Sequence, residues 1–150
     1  MEQKKTPYTA PKYPFLHSMP AQLRFNDIDV LGHVNNSVYF QLFDLAKAKY
    51  FNAVRQKELE WSETDIVIVN VNCNFLSQTF FNEPLDVLTQ VEKIGEKSLT
   101  LVQQLVNTAT GEVKSHCTTI MVGFDAETQT SKPITTTWRQ AISAFEQREF

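Results

Sequence analysis

A long helical segment at residues 37–54 sets the limits on how this chain can fold. Its apolar side chains recur at spacings of three and four residues, which is the repeat of one helix face. That stripe consists of Tyr39, Phe43, Ala46, Tyr50 and Val54. Flanking it are the apolar residues Val38, Leu42, Leu45 and Phe51. A helix with so broad an apolar face is expected to be buried for most of its length.

Four extended segments follow the helix and predict an antiparallel sheet. In residues 67–75 every odd position is apolar and Asn occupies positions 70, 72 and 74, a period of two that indicates a strand with one dry face. The other three predicted strands are residues 85–94, 99–107 and 113–124. Turn signals at Gly95 and Gly111 separate them, so these three strands are expected to form a meander.

Shorter elements are predicted at both ends of this pattern. Before the helix we expect an irregular, proline-rich arm at residues 1–18 and a short strand at residues 21–26. Asn35 or Asn36 is expected to cap the helix, and residues 55–64 to form a loop or a short helix. After the sheet, a loop at residues 125–132 precedes a helix at residues 137–150, with Trp138, Ile142 and Phe145 on one side.

This order of elements predicts an α+β domain at residues 19–150. A sheet of about five strands would wrap around the one long helix, with a second helix at the C-terminal end. One helix covers only part of one face of a long sheet. We therefore expect a sheet edge to pair with a second copy of the chain.

Composition excludes several classes of function. The net charge is −3 and no basic stripe is present, which argues against nucleic-acid binding. No apolar run has the length of a membrane span or the form of a signal peptide, so a cytoplasmic protein without membrane insertion is expected. Cys73 and Cys117 lack the spacing of metal ligands and are expected to be buried thiols, and neither a metal nor a cofactor is predicted.

The polar segment at residues 26–36 contains the groups best suited to catalysis. It places two carboxylates, Asp27 and Asp29, and a glycine turn at Gly32 directly before the helix. The start of a helix presents free amide donors that can polarise a thioester carbonyl and hold the developing oxyanion. A carboxylate facing that carbonyl can activate water as a general base, or attack the carbonyl itself.

The run Arg24-Phe-Asn-Asp-Ile-Asp-Val-Leu-Gly-His-Val-Asn-Asn-Ser-Val-Tyr39 resembles the signature of the 4-hydroxybenzoyl-CoA thioesterase family of hotdog proteins. The similarity extends over about residues 19–135. Weaker matching pieces are Pro84-Leu85, Ile94-Gly95, Gly111-Glu112 and Lys132-Pro133.

The resemblance implies a hotdog fold and hydrolysis of acyl-CoA. It also implies a homodimer or homotetramer with each site at a subunit interface. By motif position, Asp29 is the catalytic carboxylate, the backbone amide of Asn36 polarises the carbonyl, and Tyr39 lines the acyl pocket. The remaining motif residues, Gly32, His33 and Asn35, are expected to bind the substrate together with Tyr39.

Several residues also have purely structural explanations. Asp27 is expected to satisfy turn amides, His33 to brace the turn, and Asn35 to cap the helix. The chain departs from the family at Asp44-Leu45-Ala46-Lys47, where many relatives carry Glu followed by Ala-Arg.

Two other functions fit the same fold. One is a non-catalytic acyl-CoA binding module. The other is a hydratase or dehydratase of hydroxyacyl or enoyl thioesters, which pairs a His with an acidic residue on the helix. Residues 37–54 contain no Glu, and Asp44 lies about two turns into the helix.

Overall fold

A six-stranded antiparallel sheet and two helices form the described part of the chain, which in this computed structural model comprises residues 8–58, 60 and 65–150. The strands are β1 (His17–Pro20), β2 (Ile66–Phe75), β3 (Leu85–Ile94), β4 (Ser98–Asn107), β5 (Val113–Asp125) and β6 (Thr130–Lys132). The helices are α1 (Asn36–Arg55) and α2 (Thr136–Glu146), and a 3-10 turn spans Phe25–Asp27. The strand order is β1-β3-β4-β5-β2, with β6 added to β5, and α1 packs on one face. This is the α+β hotdog arrangement that the sequence predicted.

Helix α1 has the predicted position and the predicted buried stripe. It begins after Asn35, whose side chain accepts the Ser37 amide, and it ends at Gln56, which adopts a left-handed conformation with φ of 55°. All five stripe residues are buried. Leu45 is half exposed, at 50%, so the prediction of burial was wrong there: the apolar face is narrower than the sequence pattern indicated.

Two apolar clusters hold the helix to the sheet. The first surrounds the C-terminal half of α1 and includes Trp138 and Ile142, with Phe145 packed against it; these are the three residues predicted to share one side of α2. The second surrounds the N-terminal half of α1 and joins Val34, Val38 and Tyr39 to strands β3, β4 and β5. The start of α1 therefore rests on a packed core.

The strand predicted at residues 21–26 is absent from the structure. Strand β1 lies earlier, at His17–Pro20, and the 3-10 turn occupies Phe25–Asp27. Proline is tolerated in β1 because this strand lies at the edge of the sheet and pairs only with β3 among the described strands. The loop predicted at residues 125–132 was also wrong in part, because it contains β6. The predicted loop at residues 55–64 includes positions 59 and 61–64, which lie outside the described residues.

Strand β2 departs from the predicted alternation. A bulge between Ile68 and Asn70 changes the register, so Ile68 lies opposite Met121 while Val67 lies opposite Val122. Val67 therefore leaves the face that carries Val71 and Cys73, which contradicts the prediction that all odd positions share one face. The face that was expected to be dry is also partly exposed to solvent in a single chain, since Val71 is 40% exposed.

The two cysteines are neighbours in space. Cys73 on β2 lies directly opposite Cys117 on β5, a pairing that their separation in sequence does not reveal. Both are free thiols; Cys117 is buried as predicted, whereas Cys73 is only half-buried.

The N-terminal arm is held against the sheet from residue 8 onward. The ring of Tyr8 stacks on His116 with centroids 4.1 Å apart. Gln90 on β3 donates a hydrogen bond to the carbonyl of Tyr13 at 3.0 Å. In the described part of the chain, no helix is long and apolar enough to cross a membrane.

Candidate active site

The carboxylate of Asp29 is held by the turn that it begins. Its Oδ1 accepts the backbone amides of Leu31 at 2.9 Å and His33 at 3.2 Å. The main chain closes the same turn, because Asp29 N donates to His33 O at 2.8 Å and Gly32 N to Asp29 O at 3.0 Å. Gly32 has φ of 80°, a conformation that favours glycine. Among the described residues no hydrogen bond involves Oδ2 of Asp29, so one carboxylate oxygen is fixed and the other is available.

The first amides of α1 lie beside this turn. Asn35 Oδ1 accepts Ser37 N at 3.0 Å and Ser37 Oγ at 2.9 Å, and Asn35 N donates to the carbonyl of Asp27 at 2.9 Å. Asn36 is the first helical residue, and within the described chain its amide donates to no acceptor. A helix start of this kind carries a partial positive charge and attracts a developing oxyanion.

Asp27 has the structural role that the sequence predicted. It is 4% exposed and accepts the Arg24 amide at 2.7 Å and the Arg24 guanidinium at 3.1 Å. The hydrogen bond from the Arg24 backbone, with help from its side chain, outweighs burial and lowers the pKa of Asp27. This carboxylate is thus occupied in fixing the entry to the turn.

Asp29 and Asn36 line the same cavity, which has a volume of about 410 Å³. His33 and Tyr39 also line it. Another part of its wall comes from the end of β2 and the segment after it, through Phe75, Leu76, Ser77, Gln78 and Thr79. We refer to residues 76–84, which connect β2 to β3, as the wall loop.

The wall loop is bonded to both sides of the helix start. Tyr39 donates its hydroxyl to Thr79 Oγ1 at 2.8 Å, and Val34 N donates to Thr79 O at 2.8 Å. Burial raises the pKa of Tyr39, so its hydroxyl stays protonated and serves as a donor. The Tyr39 ring packs edge-on against Phe75, with centroids 5.0 Å apart. Thr79 thereby connects the loop to the site from two directions.

The structure brings four of the six predicted site residues to this cavity. They are Asp29, His33, Asn36 and Tyr39. Gly32 shapes the turn without lining the cavity, and Asn35 lines a different cavity of about 460 Å³, together with Arg24 and Gln41. The ring of His33 packs edge-on against Phe80, with centroids 5.4 Å apart. The sequence did not reveal this wall, because the period-two pattern marked Phe75 only as a strand residue and no periodicity or motif marks residues 76–79.

The arrangement suits reaction at an electrophilic carbonyl. A carboxylate with one available oxygen and a free amide donor share a cavity that also holds an aromatic side chain. In the described chain no group of three or more His, Cys, Asp or Glu side chains is placed to hold a metal ion.

Comparisons with known proteins find similarity to thioesterases. A family model described as the thioesterase-like superfamily matches residues 23–142. Among curated proteins, the long-chain acyl-CoA thioesterase FadM of Escherichia coli is 25% identical over 111 residues, which cover 72% of this chain and 83% of FadM. The uncharacterized protein YsmA of Bacillus subtilis is 28% identical over 95 residues, and the match covers 63% of this chain and 64% of YsmA. The chain thus spans less than two thirds of the length of YsmA.

A solved structure shares the fold over nearly the whole chain. The thioesterase from Thermus thermophilus, crystallised with coenzyme A and Zn, superimposes with a TM-score of 0.80 at 24% identity, covering 91% of this chain and 98% of that one.

Proposed function

Because the chain belongs to the thioesterase-like superfamily, we propose that it hydrolyses acyl-CoA thioesters to a carboxylic acid and free CoA. One observation carries this proposal: the Asp29 carboxylate and the Asn36 amide line one cavity. The helix start supplies the electrophilic assistance and Asp29 the base or nucleophile. Neither step needs a metal or a cofactor.

In the proposed reaction the thioester carbonyl oxygen accepts a hydrogen bond from Asn36 N–H. Either Asp29 removes a proton from water as the water attacks the carbonyl, or Asp29 attacks and water cleaves the resulting anhydride. The C–S bond breaks, and the thiolate of CoA takes up a proton. One water is consumed and one acid and one thiol are formed by either route.

The other motif residues support this geometry. Tyr39 would line the acyl pocket and His33 would border the substrate, with its backbone fixing Asp29. Gly32 permits the turn and Asn35 orients the helix start through its cap.

Two features support a finer assignment. The motif from Arg24 to Tyr39 supports membership of the 4-hydroxybenzoyl-CoA thioesterase branch. The similarity to FadM, a long-chain acyl-CoA thioesterase, supports an aliphatic acyl group of medium or long chain. We also propose that the protein acts in the cytoplasm as a homodimer or homotetramer, with each site completed at a subunit interface.

The hydratase or dehydratase alternative lacks its acidic residue. Asp44 is the only carboxylate on α1, its side chain is 69% exposed, and it pairs with Lys47 at 3.0 Å. It does not contribute to the lining of the cavity.

The decisive test is Asp29→Asn with acyl-CoA substrates of increasing chain length and detection of free thiol. We expect the wild-type protein to hydrolyse these substrates. In the variant, kcat should fall by a factor of about 10² to 10⁴, the range of general acid–base contributions. Asp44→Asn is the matched control and should retain full rate. Equal rates for wild type and Asp29→Asn would refute the role of Asp29. Binding of acyl-CoA without thiol release would instead identify a non-catalytic binding module.

A further inference from the structure

Lys114 is a buried cation that lies behind the wall loop. It is the second residue of β5 and is only 4% exposed. Its ammonium group lies 2.8 Å from Glu83 Oε1, 3.0 Å from Glu112 Oε2 and 3.0 Å from the carbonyl of Gln78. An ammonium group has three donors, so these three acceptors use its full capacity.

The partners of Lys114 fasten the wall loop at both ends. Glu83, near the end of the loop, accepts the Phe80 amide at 2.7 Å and the side chain of Asn107 at 3.0 Å. Glu112 accepts the hydroxyl of Ser77, at the beginning of the loop, at 2.6 Å. The backbone carbonyl of Lys114 itself accepts the amides of Leu76 and Ser77. One cation thus pairs with two carboxylates that together hold the loop in place.

The ionisation of the cluster agrees with this role. Burial alone would raise the pKa of Glu83, but hydrogen bonds from Lys114 and the Phe80 amide outweigh it and hold that pKa below its usual value. Burial would likewise lower the pKa of Lys114, and its bonds to Glu83 and Glu112 outweigh that effect and raise it. Lys114 is therefore charged at neutral pH, and both carboxylates are ionised around it.

A short path connects this cation to the reacting groups. Lys114 holds the carbonyl of Gln78, and the next residue, Thr79, accepts Val34 N and the Tyr39 hydroxyl. Val34 lies between the turn that fixes Asp29 and the amide of Asn36. A displaced wall loop would therefore shift the base and the oxyanion donor relative to each other.

We propose that Lys114 is a positioning residue for thioester hydrolysis, which acts through the wall loop to set the spacing between Asp29 and the Asn36 amide. This inference rests on the proposed function. Lys114 itself does not contact the substrate cavity.

The test uses Lys114→Met, which keeps most of the side-chain volume and leaves Glu83 and Glu112 without their cation. We expect kcat to fall roughly 10- to 100-fold, the scale of small misplacements of reacting groups, with a much smaller change in KM. Lys114→Arg keeps the charge and should recover part of the lost kcat. Glu112→Gln, a milder change at a side chain that is 48% exposed, should give a smaller loss in the same direction.

Lys132→Met is the matched control. Lys132 also forms an ion pair, with Asp65 at 3.1 Å, but it lies on β6, next to the opposite end of β5. This variant should lose no kcat. Assays are run below the melting temperature of each variant, so that unfolding does not contribute.

Amide hydrogen exchange supplies the second readout and does not depend on activity. In Lys114→Met, peptides within residues 28–36 and 76–83 should exchange faster than in wild type, while β4 stays protected. Unchanged kcat, or a fall in kcat with unchanged protection of residues 28–36, overturns the inference. A wild type that releases no thiol contradicts the proposed function instead, and the exchange data still decide whether Lys114 orders the site.

Discussion

Asn36 offers a way to remove one backbone N–H without displacing the helix start. It is the first residue of α1, the position at which proline is most readily accepted. The preceding residue, Asn35, has φ of −61° and ψ of 139°, an extended conformation compatible with a following proline. The role of the amide can therefore be separated from the role of the side chain.

We expect Asn36→Pro to lower kcat by about 10² to 10³, the usual loss on removing one oxyanion donor. Asn36→Ala keeps the amide and should have nearly the wild-type rate. Steady-state kinetics with the preferred acyl-CoA and thermal melts of both variants provide the measurement. Equal rates in the two variants would show that this amide does not assist the reaction.

Site residues could be predicted from the sequence where they are close together along the chain. Asp29, His33, Asn36 and Tyr39 lie within eleven positions and reach one cavity. Thr79 and Lys114 were invisible, because their importance depends on contacts between segments more than 30 positions apart. A threonine in a loop and a lysine at a strand start carry no pattern that would reveal such contacts.

The attachment of α2 to the sheet depends on a buried carboxylate. Glu146, the last residue of α2, accepts the hydroxyl of Tyr50 at 2.6 Å and the amide of Val91 at 3.2 Å. The register shift between Val91 and Lys93 in β3 lies at this point. Burial raises the pKa of Glu146 against the opposing effect of these two hydrogen bonds.

A raised pKa in the folded state makes stability depend on pH. The folded protein binds this proton more tightly than the unfolded chain, for which the ordinary value is 4.5. The contribution of Glu146 is fully present below that value and is lost as pH rises through the folded pKa. Glu146→Gln mimics the protonated form. The melting temperature of this variant minus that of wild type should therefore increase as pH rises from 4 to 7. A difference that is constant or shrinks over this range would contradict the prediction.

Among the elements, the long helix and the meander could be predicted to within two residues because each has a repeated pattern. Strand β1 was missed because the residue types of His17–Pro20 do not alternate between apolar and polar, although their burial does, and because the strand ends in Pro20. The bulge in β2 was missed because Val67 and Ile68, which lie on opposite faces of the strand, are both apolar. The sequence pattern therefore does not mark the change of register.

The face of β2 on the same side of the sheet as α1 exposes apolar side chains. Ile68, Val71 and Phe75 lie on this face and are 44%, 40% and 42% exposed. Within the described chain β2 pairs only with β5, so its other edge has free backbone donors and acceptors. Both properties support the proposed association of two copies at this edge.

If the chain forms the proposed oligomer, Val71→Lys should convert it to a monomer, because the substitution places a charge on the apolar face. Asn72→Lys adds the same charge on the opposite face of the same strand and should retain the wild-type assembly. Size-exclusion chromatography with light scattering distinguishes these states. A monomeric wild type, or dissociation caused equally by both variants, would refute association through this face.

The strand order has a consequence for how the protein folds. Strands β3, β4 and β5 pair with their sequence neighbours, whereas β2 must reach β5 across the whole meander. Closing the longer loop costs more chain entropy, so we expect the meander to form early and β2 to dock late. Phe75 and the wall loop would take up their positions only when β2 docks. We therefore expect the cavity lined by Asp29 and Asn36 to form late in folding, and transient detachment of β2 to dismantle it before the rest of the sheet is lost.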